Sequence, residues 1–455
     1  MNIFAPRART LSRVLAAIGL VATLVIAFQQ QRRAEAKLAD PAGGHISDFD
    51  RWMLMTPRFL HDRVDYVNDD LPTPPLSLIV FAPFATMTRP HAQFAWVLVK
   101  FPLACLVFTL AAAMVARAGV ELSAEAVALI VAGWWLAVAV DMQEGQTNFL
   151  ALTPLAAGLF VAQRENHASH VAAGALIALG AAMKVTPIIF VAYFLWKRRW
   201  TIVASALVCL AIWSLVVPAI AFGWHQNLRW FEQWTRIMIV PYVAQGKVVY
   251  ATSQSMGSFA LRFLTDTPAF DSRYDSASHF INVLSLSNEA ARWIVRAAMI
   301  TIGTAGLVLT WPRLPSLASQ RYVVEIGAVA AFMLWFSERS WVHHYVSFIL
   351  TLAAAGMILS DAARGADERR LVRISMIVFA ALTFFASEAG YLLGRNGVDW
   401  AKAVGVYLWP SIFVTAAVVR TEFGAPRESR AAAARPSFGA TSVPSERPLP
   451  PGARG

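Results

Sequence analysis

"TIVASALVCLAIWSLVVPAIAF", residues 201 to 222, runs for twenty-two residues without one charged side chain. A helix over it rises about 1.5 Å per residue, so it spans roughly 33 Å and crosses about 30 Å of hydrocarbon. It is apolar all round, so it has no face to offer water. Similar runs occur at 14 to 29, 103 to 116, 126 to 140, 149 to 163, 171 to 183, 187 to 196, 297 to 311, 326 to 336, 345 to 360, 374 to 387 and 403 to 419. The whole chain is 57% hydrophobic and 15% charged, against about a quarter charged in soluble domains. Its mean hydropathy is +0.52. The expectation is an all-α, polytopic membrane protein of about twelve spans, with residues 1–420 as one transmembrane domain.

The net charge of +11 does not point to nucleic acid, because the basic residues are spread over loop ends rather than gathered in a patch. Cys105 and Cys209 both lie in apolar runs, which excludes a disulfide framework and a thiolate metal site. The first run follows Arg7, Arg9 and Arg13 and precedes Ala34-Glu35-Ala36, which imitates a signal peptidase site; an uncleaved signal anchor suits a many-span chain better.

Lysine and arginine in short loops set the expected orientation. With a cytoplasmic N-terminus, the inner segments hold Arg7, Arg9, Arg13, Arg117, Arg164, Lys197, Arg198, Arg199, Arg313, Arg321, Arg364, Arg369 and Arg370. The short outer ones hold Lys184, Arg339 and Arg395. This requires that "PPLSLIVFAPFATM", 74 to 87, does not cross but forms a re-entrant or interfacial helix. Two long outer segments follow, 30–91 and 223–290. In the second, Trp224, Leu228, Phe231, Trp234 and Met238 recur at helical spacing, as in a helix lying in the membrane interface or packed across the bundle. Residues 421–455, rich in Arg, Ala, Pro and Ser, read as a disordered cytoplasmic tail. The chain is placed in the inner membrane with both termini cytoplasmic.

Polar residues gather where spans meet the outer face: Asp48 and Asp50, "DMQEGQTN" at 141 to 148, "KVTP" at 184 to 187, "TSQS" at 252 to 255 and "SERSWVHHY" at 337 to 345. Intramembrane ionisable groups usually line a cavity. This cavity has carboxylates, amides, cations and paired histidines, but no nucleophile with a base beside it. Inverting sugar transfer from a lipid phosphate needs little more: one carboxylate to take the acceptor's proton, and cations to hold the departing phosphate. A hydrolysing glycosidase needs a carboxyl pair.

The sequence also resembles glycosyltransferase family 87, the polyprenyl-phosphate-sugar-dependent membrane transferases of the GT-C class, which include phosphatidylinositol mannosyltransferases. The resemblance rests on Asp48-Phe49, "PPLSLIVFAPF" at 74 to 84, "GQTN" at 145 to 148, "KVTP" with "RRW" at 198 to 200, "SQS" at 253 to 255 and "SWVHHY" at 340 to 345, in that order. It implies a GT-C bundle, a polyprenyl-phosphate-linked sugar donor (most readily mannose), a glycolipid or lipid-linked glycan acceptor, a periplasmic active site and no cofactor or metal. It also implies that Asp48 is the catalytic base and that His343 or His344 contacts the donor phosphate, with Arg339 one turn away. Each residue has a plainer reading: Asp48 as an N-cap, the histidines as interfacial anchors, Lys184 as a snorkelling cation rather than a phosphate ligand, and Gln146, Asn148 and Gln254 as caps rather than binders of sugar or acceptor. Asp50 reads equally as an acceptor-hydroxyl binder or a solvated charge; Asp141 and Glu144 carry less weight. The family's Tyr-Pro-Pro is Thr73-Pro74-Pro75 here, and Arg51 and Trp52 stand where tyrosines are usual, which leaves the sugars open.

Two rival readings follow. A lipid-sugar flippase is expected to show repeats and broken helices meeting at mid-membrane. A metal enzyme is conceivable through Asp48, Asp50, Asp69 and Asp70, although their spacing is not that of a metal site.

Overall fold

The computed structural model describes residues 2–39, 46–62, 64–66, 71–244, 253–271, 277–311, 314, 316–387 and 393–424. They form an all-α membrane protein. The helices are α1 (Pro6–Ala39), α2 (Asp48–Pro57), α3 (Leu76–Ala85), α4 (Arg89–Arg117), α5 (Ala124–Glu144), α6 (Asn148–Ala162), α7 (His167–Met183), α8 (Ile189–Trp196), α9 (Trp200–Ala211), α10 (Val217–Phe222), α11 (Trp224–Trp234), α12 (Met256–Leu264), α13 (Asn288–Leu309), α14 (Gln320–Trp335), α15 (Ile349–Ser360), α16 (Ala366–Phe385), α17 (Gly394–Ala403) and α18 (Leu408–Phe423). Among the described residues the only sheet is a two-residue antiparallel ladder, Phe270–Asp271 (β1) with Ser278–His279 (β2).

All twelve apolar runs fall on helices, but fewer than twelve of these are long enough to cross alone. Among the described residues, six are long and apolar enough: Pro6–Leu38, Arg89–Arg117, Ala124–Glu144, Trp200–Phe222, Asn288–Leu309 and Val342–Ser360; the bent pair Asn396–Ala403 and Leu408–Phe423 makes a seventh if it counts as one span. The others are short, charged at one end or interrupted. α7 stops at Lys184, whose extended backbone caps it, and the 3₁₀ turn Thr186–Ile188 leads into α8. These short helices still pack as part of the bundle. A Cβ on Gly180 of α7 would lie 2.7 Å from the Ala151 carbonyl oxygen, and one on Gly158 of α6 would lie 2.9 Å from that of Ala173. Small residues thus let α6 and α7 meet backbone to backbone, as helices in lipid do.

One end of the bundle is stitched by basic side chains. Arg117 donates to the Phe160 carbonyl (2.8 Å), and Arg199 pairs with Glu165 (3.3 Å). The carboxylate of Glu325, buried on α14, receives Lys197 (2.8 Å), Arg321 (2.9 Å) and the Tyr193 hydroxyl (2.8 Å). Arg364 reaches Glu422 (2.7 Å). These arginines and this lysine are residues that the charge rule assigns to one side, and a buried carboxylate is tolerable there because cations surround it.

Three expectations need revision. First, α1 does not end near residue 29. It continues to Ala39, thirty-four residues and about 51 Å, because 30–39 are mostly good helix formers and Gln30 anchors the extension by donating to the Gln143 carbonyl (3.0 Å). Second, α18 runs to Phe423 and buries Thr421 and Glu422, three residues into the segment read as tail; residues 425–455 lie outside the described residues. Third, the stripe from Trp224 to Met238 is only in part a packed face of the chain: Phe231, Trp234 and Met238 pack with Trp230 into the aromatic cluster around Phe49. Trp224 is 50% and Leu228 38% exposed, whereas Asn227, Trp230 and Trp234 are buried. Trp230 donates to the Val64 carbonyl (2.8 Å) and Trp234 to that of Pro72 (3.0 Å), which ties α11 to the segment linking α2 and α3. The chain continues from α11 in wider π-type turns, Thr235–Ala244. α3, at ten residues, is about 15 Å long and too short to cross, as its prolines lead one to expect.

Candidate active site

The site forms at the end of the bundle opposite the arginine-stitched one, and an aromatic stack assembles it. Phe49 lies flat on Trp96 (4.4 Å, 5°), and Trp52 stacks on Phe81 (5.4 Å), so α2 is glued to α3 and α4. Trp96 also donates through Nε1 to the Gly145 carbonyl (2.9 Å). One indole therefore fixes both the helix that carries Asp48 and the loop that carries Gln146. Gly145 takes the left-handed conformation (φ +70°) that ends α5, and a Cβ there would lie 2.5 Å from that of Phe49.

Asp48 is not the cap of α2. Ser47 is, its hydroxyl accepting from the Asp50 amide (3.1 Å). Asp48 is the first helical residue, with a side chain 22% exposed. The Gln146 side-chain amide donates to its Oδ2, and Arg51 pairs with its Oδ1 (3.4 Å). It thus keeps access to solvent while an amide and a guanidinium hold its direction.

Asp50 departs from both sequence readings. Its side chain is fully buried, and Arg89 grips both oxygens (2.6 and 2.5 Å) while the Ile46 amide adds a third bond (2.9 Å). A helix places residues two apart on different faces. The face bearing Asp50 turns towards α4, so this carboxylate braces the loop and has no edge left for a hydroxyl.

Asn148, at the start of α6, is a hub. Its Nδ2 donates to Asp141 Oδ2 (2.8 Å) and to the His343 carbonyl (3.0 Å), and its Oδ1 accepts from Lys184 Nζ. Asp141 is itself buried against Lys100, 3.1 Å from its Oδ1, and Lys100 also donates to the Asp141 carbonyl (2.7 Å). Burial pulls the pKa of Lys184, in the connection after α7, down to about 8, against the opposing pull of the Asp141 and Asp48 carboxylates.

A cleft of about 440 Å³, counting its open mouth, is lined by Asn148, Lys184, Ser337, Arg339, Ser340 and His344, among others. Its interior volume for a water-sized sphere is about 40 Å³, well below the roughly 300–1,000 Å³ of small-molecule sites. Asp48 does not line this cleft; it lies near enough to act on the charge of Lys184. Of the two histidines, His344 lines the cleft. Its Nδ1 accepts from the Trp341 amide (3.1 Å), which leaves the proton of the neutral ring on Nε2. His343 is buried edge-on against His344 (4.5 Å) and gives the site its carbonyl instead.

Gln254 also departs from its expected role. It is buried, its Nε2 donates to the Lys402 carbonyl (2.8 Å), its Oε1 accepts from the Tyr407 amide (3.1 Å), and its carbonyl accepts from the Tyr345 hydroxyl (3.1 Å). It is a strut between three segments, not a sugar contact. Thr252, Asp69 and Asp70 lie outside the described residues. Among the described residues, no cluster of three His, Cys, Asp or Glu is arranged to hold a metal ion. Sequence reasoning passed over Lys100 and Trp96, and quoted Gly145 in its motif without giving it a role. Lys100 carried a legible signal, a lone cation inside the apolar stretch "WVLVKFPLACLVF".

A sequence profile described as glycosyltransferase family 87 matches residues 73–337, more than half of the chain. The chain belongs to this family. Two curated relatives carry the name polyprenol-phosphate-mannose-dependent alpha-(1-2)-phosphatidylinositol mannoside mannosyltransferase. The one from Mycobacterium tuberculosis (strain ATCC 25618 / H37Rv) is 22% identical over 363 residues, and the one from Mycolicibacterium smegmatis (strain ATCC 700084 / mc(2)155) is 25% identical over 365; each alignment covers 75% of this chain and 74% of the relative. Among solved structures, ArnT from Cupriavidus metallidurans is similar in its apo state at a TM-score of 0.38 and 15% identity, over 92% of this chain and 78% of that one. Its undecaprenyl-phosphate complex gives 0.37 and 14%, over 90% and 77%. The family 87 match begins after Asp48 and includes Gln146, Asn148 and Lys184; His344 lies beyond its end.

Proposed function

We propose that this family 87 protein is an inverting transferase that moves a sugar, mannose on the precedent of its named relatives, from a polyprenyl phosphate to a glycolipid or lipid-linked glycan at the periplasmic face of the inner membrane. The observation that carries this reading is the pairing of a held, solvent-accessible carboxylate with an adjoining cleft ringed by Lys184, Arg339 and the Nε2–H of His344. Asp48 takes the proton from an acceptor hydroxyl as its oxygen bonds to the anomeric carbon; the bond from that carbon to the phosphate oxygen breaks, and the lipid phosphate leaves with the electron pair. The three cationic or donor groups stabilise that departing charge, and Gln146 and Arg51 keep the base aimed. Asn148 holds Lys184 at the rim of the cleft.

The test is Asp48→Asn in liposomes containing a polyprenyl-phosphate sugar and membrane glycolipids. Loss of a general base lowers turnover by about 10²–10⁴-fold, with donor binding and thermal midpoint unchanged. Turnover within a few-fold of the native rate removes the base from the scheme. Transbilayer movement of labelled lipid without a new glycosidic bond would replace the transferase with a flippase.

A further inference from the structure

A second cavity, of about 270 Å³ on the measure that gives the cleft about 40 Å³, opens between α1, α4 and α5, away from the cleft described above. Its walls are apolar, with Phe101, Ala104, Cys105 and Trp134 among them, and its polar residues include Ser12 and Arg13 of α1. Gly19 keeps the floor open: a Cβ there would come within 3.3 Å of the Phe101 ring.

The register of the helices shows how far this groove lies from the candidate active site. α1 and α5 run side by side in the same direction, tied by the Ala5 amide to the Leu122 carbonyl (3.1 Å) at one end and by Gln30 to the Gln143 carbonyl (3.0 Å) at the other. Arg13 is seventeen residues before Gln30, about 26 Å along the helix. A lipid whose phosphate sits at Lys184 therefore cannot also place that phosphate at Arg13. Arg13 is exposed and, among the described residues, makes no hydrogen bond or ion pair; nearby Arg9 donates to Asn2 (3.2 Å). A guanidinium at the mouth of an apolar slot between spans complements a ligand with an anionic head and a hydrocarbon tail.

We propose that this groove binds one anionic phospholipid, with its head phosphate on Arg13 and one acyl chain lying between α1, α4 and α5. The site is separate from the donor cleft, and its test does not read activity. Cys105 lines the groove, while Cys209 on α9 does not, so the two free thiols report independently.

The full-length protein in detergent is alkylated with N-ethylmaleimide, with phosphatidylglycerol or phosphatidylcholine of matched chains added, and each cysteine is quantified by peptide mass spectrometry. Phosphatidylglycerol is expected to slow labelling at Cys105 and leave Cys209 unchanged, at a concentration about fivefold lower than phosphatidylcholine requires, as one basic contact predicts. Arg13→Ala is expected to erase that preference while chain-dependent protection remains. Equal protection by both lipids, no protection by either, or a preference that survives Arg13→Ala overturns the proposal. Stronger protection by undecaprenyl phosphate than by phosphatidylglycerol assigns the groove to a carrier lipid and overturns it as well.

Discussion

Gly145→Ala is the sharpest test of how the site is built. The native residue has φ +70°, a conformation that costs a residue with a Cβ roughly 1–2 kcal/mol. The added methyl would meet the Phe49 Cβ at 2.5 Å and the Phe49 amide nitrogen at 3.0 Å. Carbon atoms rest at about 3.5–4.0 Å, so α2 and the loop must part by at least about 1 Å. That movement separates Asp48 from Gln146 and tilts the carboxylate, and a misplacement of about 1 Å costs on the order of 10²-fold in rate. The expected variant folds, loses about 2–5 kcal/mol of stability through backbone and steric strain together, and turns over about a hundredfold more slowly with little change in donor affinity. Steady-state kinetics in liposomes and a thermal melt measure both. A native kcat in a protein whose thermal midpoint has fallen would show that the contact between α2 and the loop does not aim the base.

Other outcomes follow from the same geometry. Lys184 is charged below about pH 8 and loses its proton as pH rises through that value, so the KM for donor should climb above pH 8 and flatten in Lys184→Arg; parallel profiles in the two proteins would dismiss the lysine. His344→Ala should raise donor KM about tenfold, the loss of one charge-assisted hydrogen bond, whereas His343→Ala, away from the cleft lining, should act through stability; equal KM effects would undo the distinction. Arg89→Ala strands the buried Asp50 carboxylate and should cost about 3–5 kcal/mol, with Arg89→Ala/Asp50→Ala recovering part of it; a single variant as stable as the native protein in a melt would contradict the brace.

The sequence made the membrane architecture legible because a crossing helix needs a length of apolar chain that nothing else in a protein needs. Charge placement separated Lys197, Arg199, Arg321 and Arg364 from Lys184 and Arg339, and the structure sets these groups at different ends. Which polar side chain faces the cleft was not legible. Asp48 and Asp50 are two residues apart with the same chemistry, and only the packing of α2 on α4 decides which is swallowed by Arg89. Gln254 and Gln146 are equally plausible amides until the turn at 402–407 claims one of them. His343 and His344 separate only once the Trp341 amide and the cleft wall are in place. The helical period of α11 is real, but which side of it is buried depends on where Val64 and Pro72 present their carbonyls, and spacing does not encode that.

The cluster around Asn148 joins two ammonium groups, Lys100 and Lys184, to the Asp141 carboxylate, with Asp48 also acting on Lys184. Its positive charge reaches the cleft through Lys184, and Arg339 adds a second cation to the lining. On the transferase reading, a loaded carrier arrives there as a phosphodiester with a single negative charge. The stripped carrier left after transfer is a monoester with nearly two. On that reading the spent lipid is gripped harder than the fresh one, and its release is expected to set the pace of the cycle.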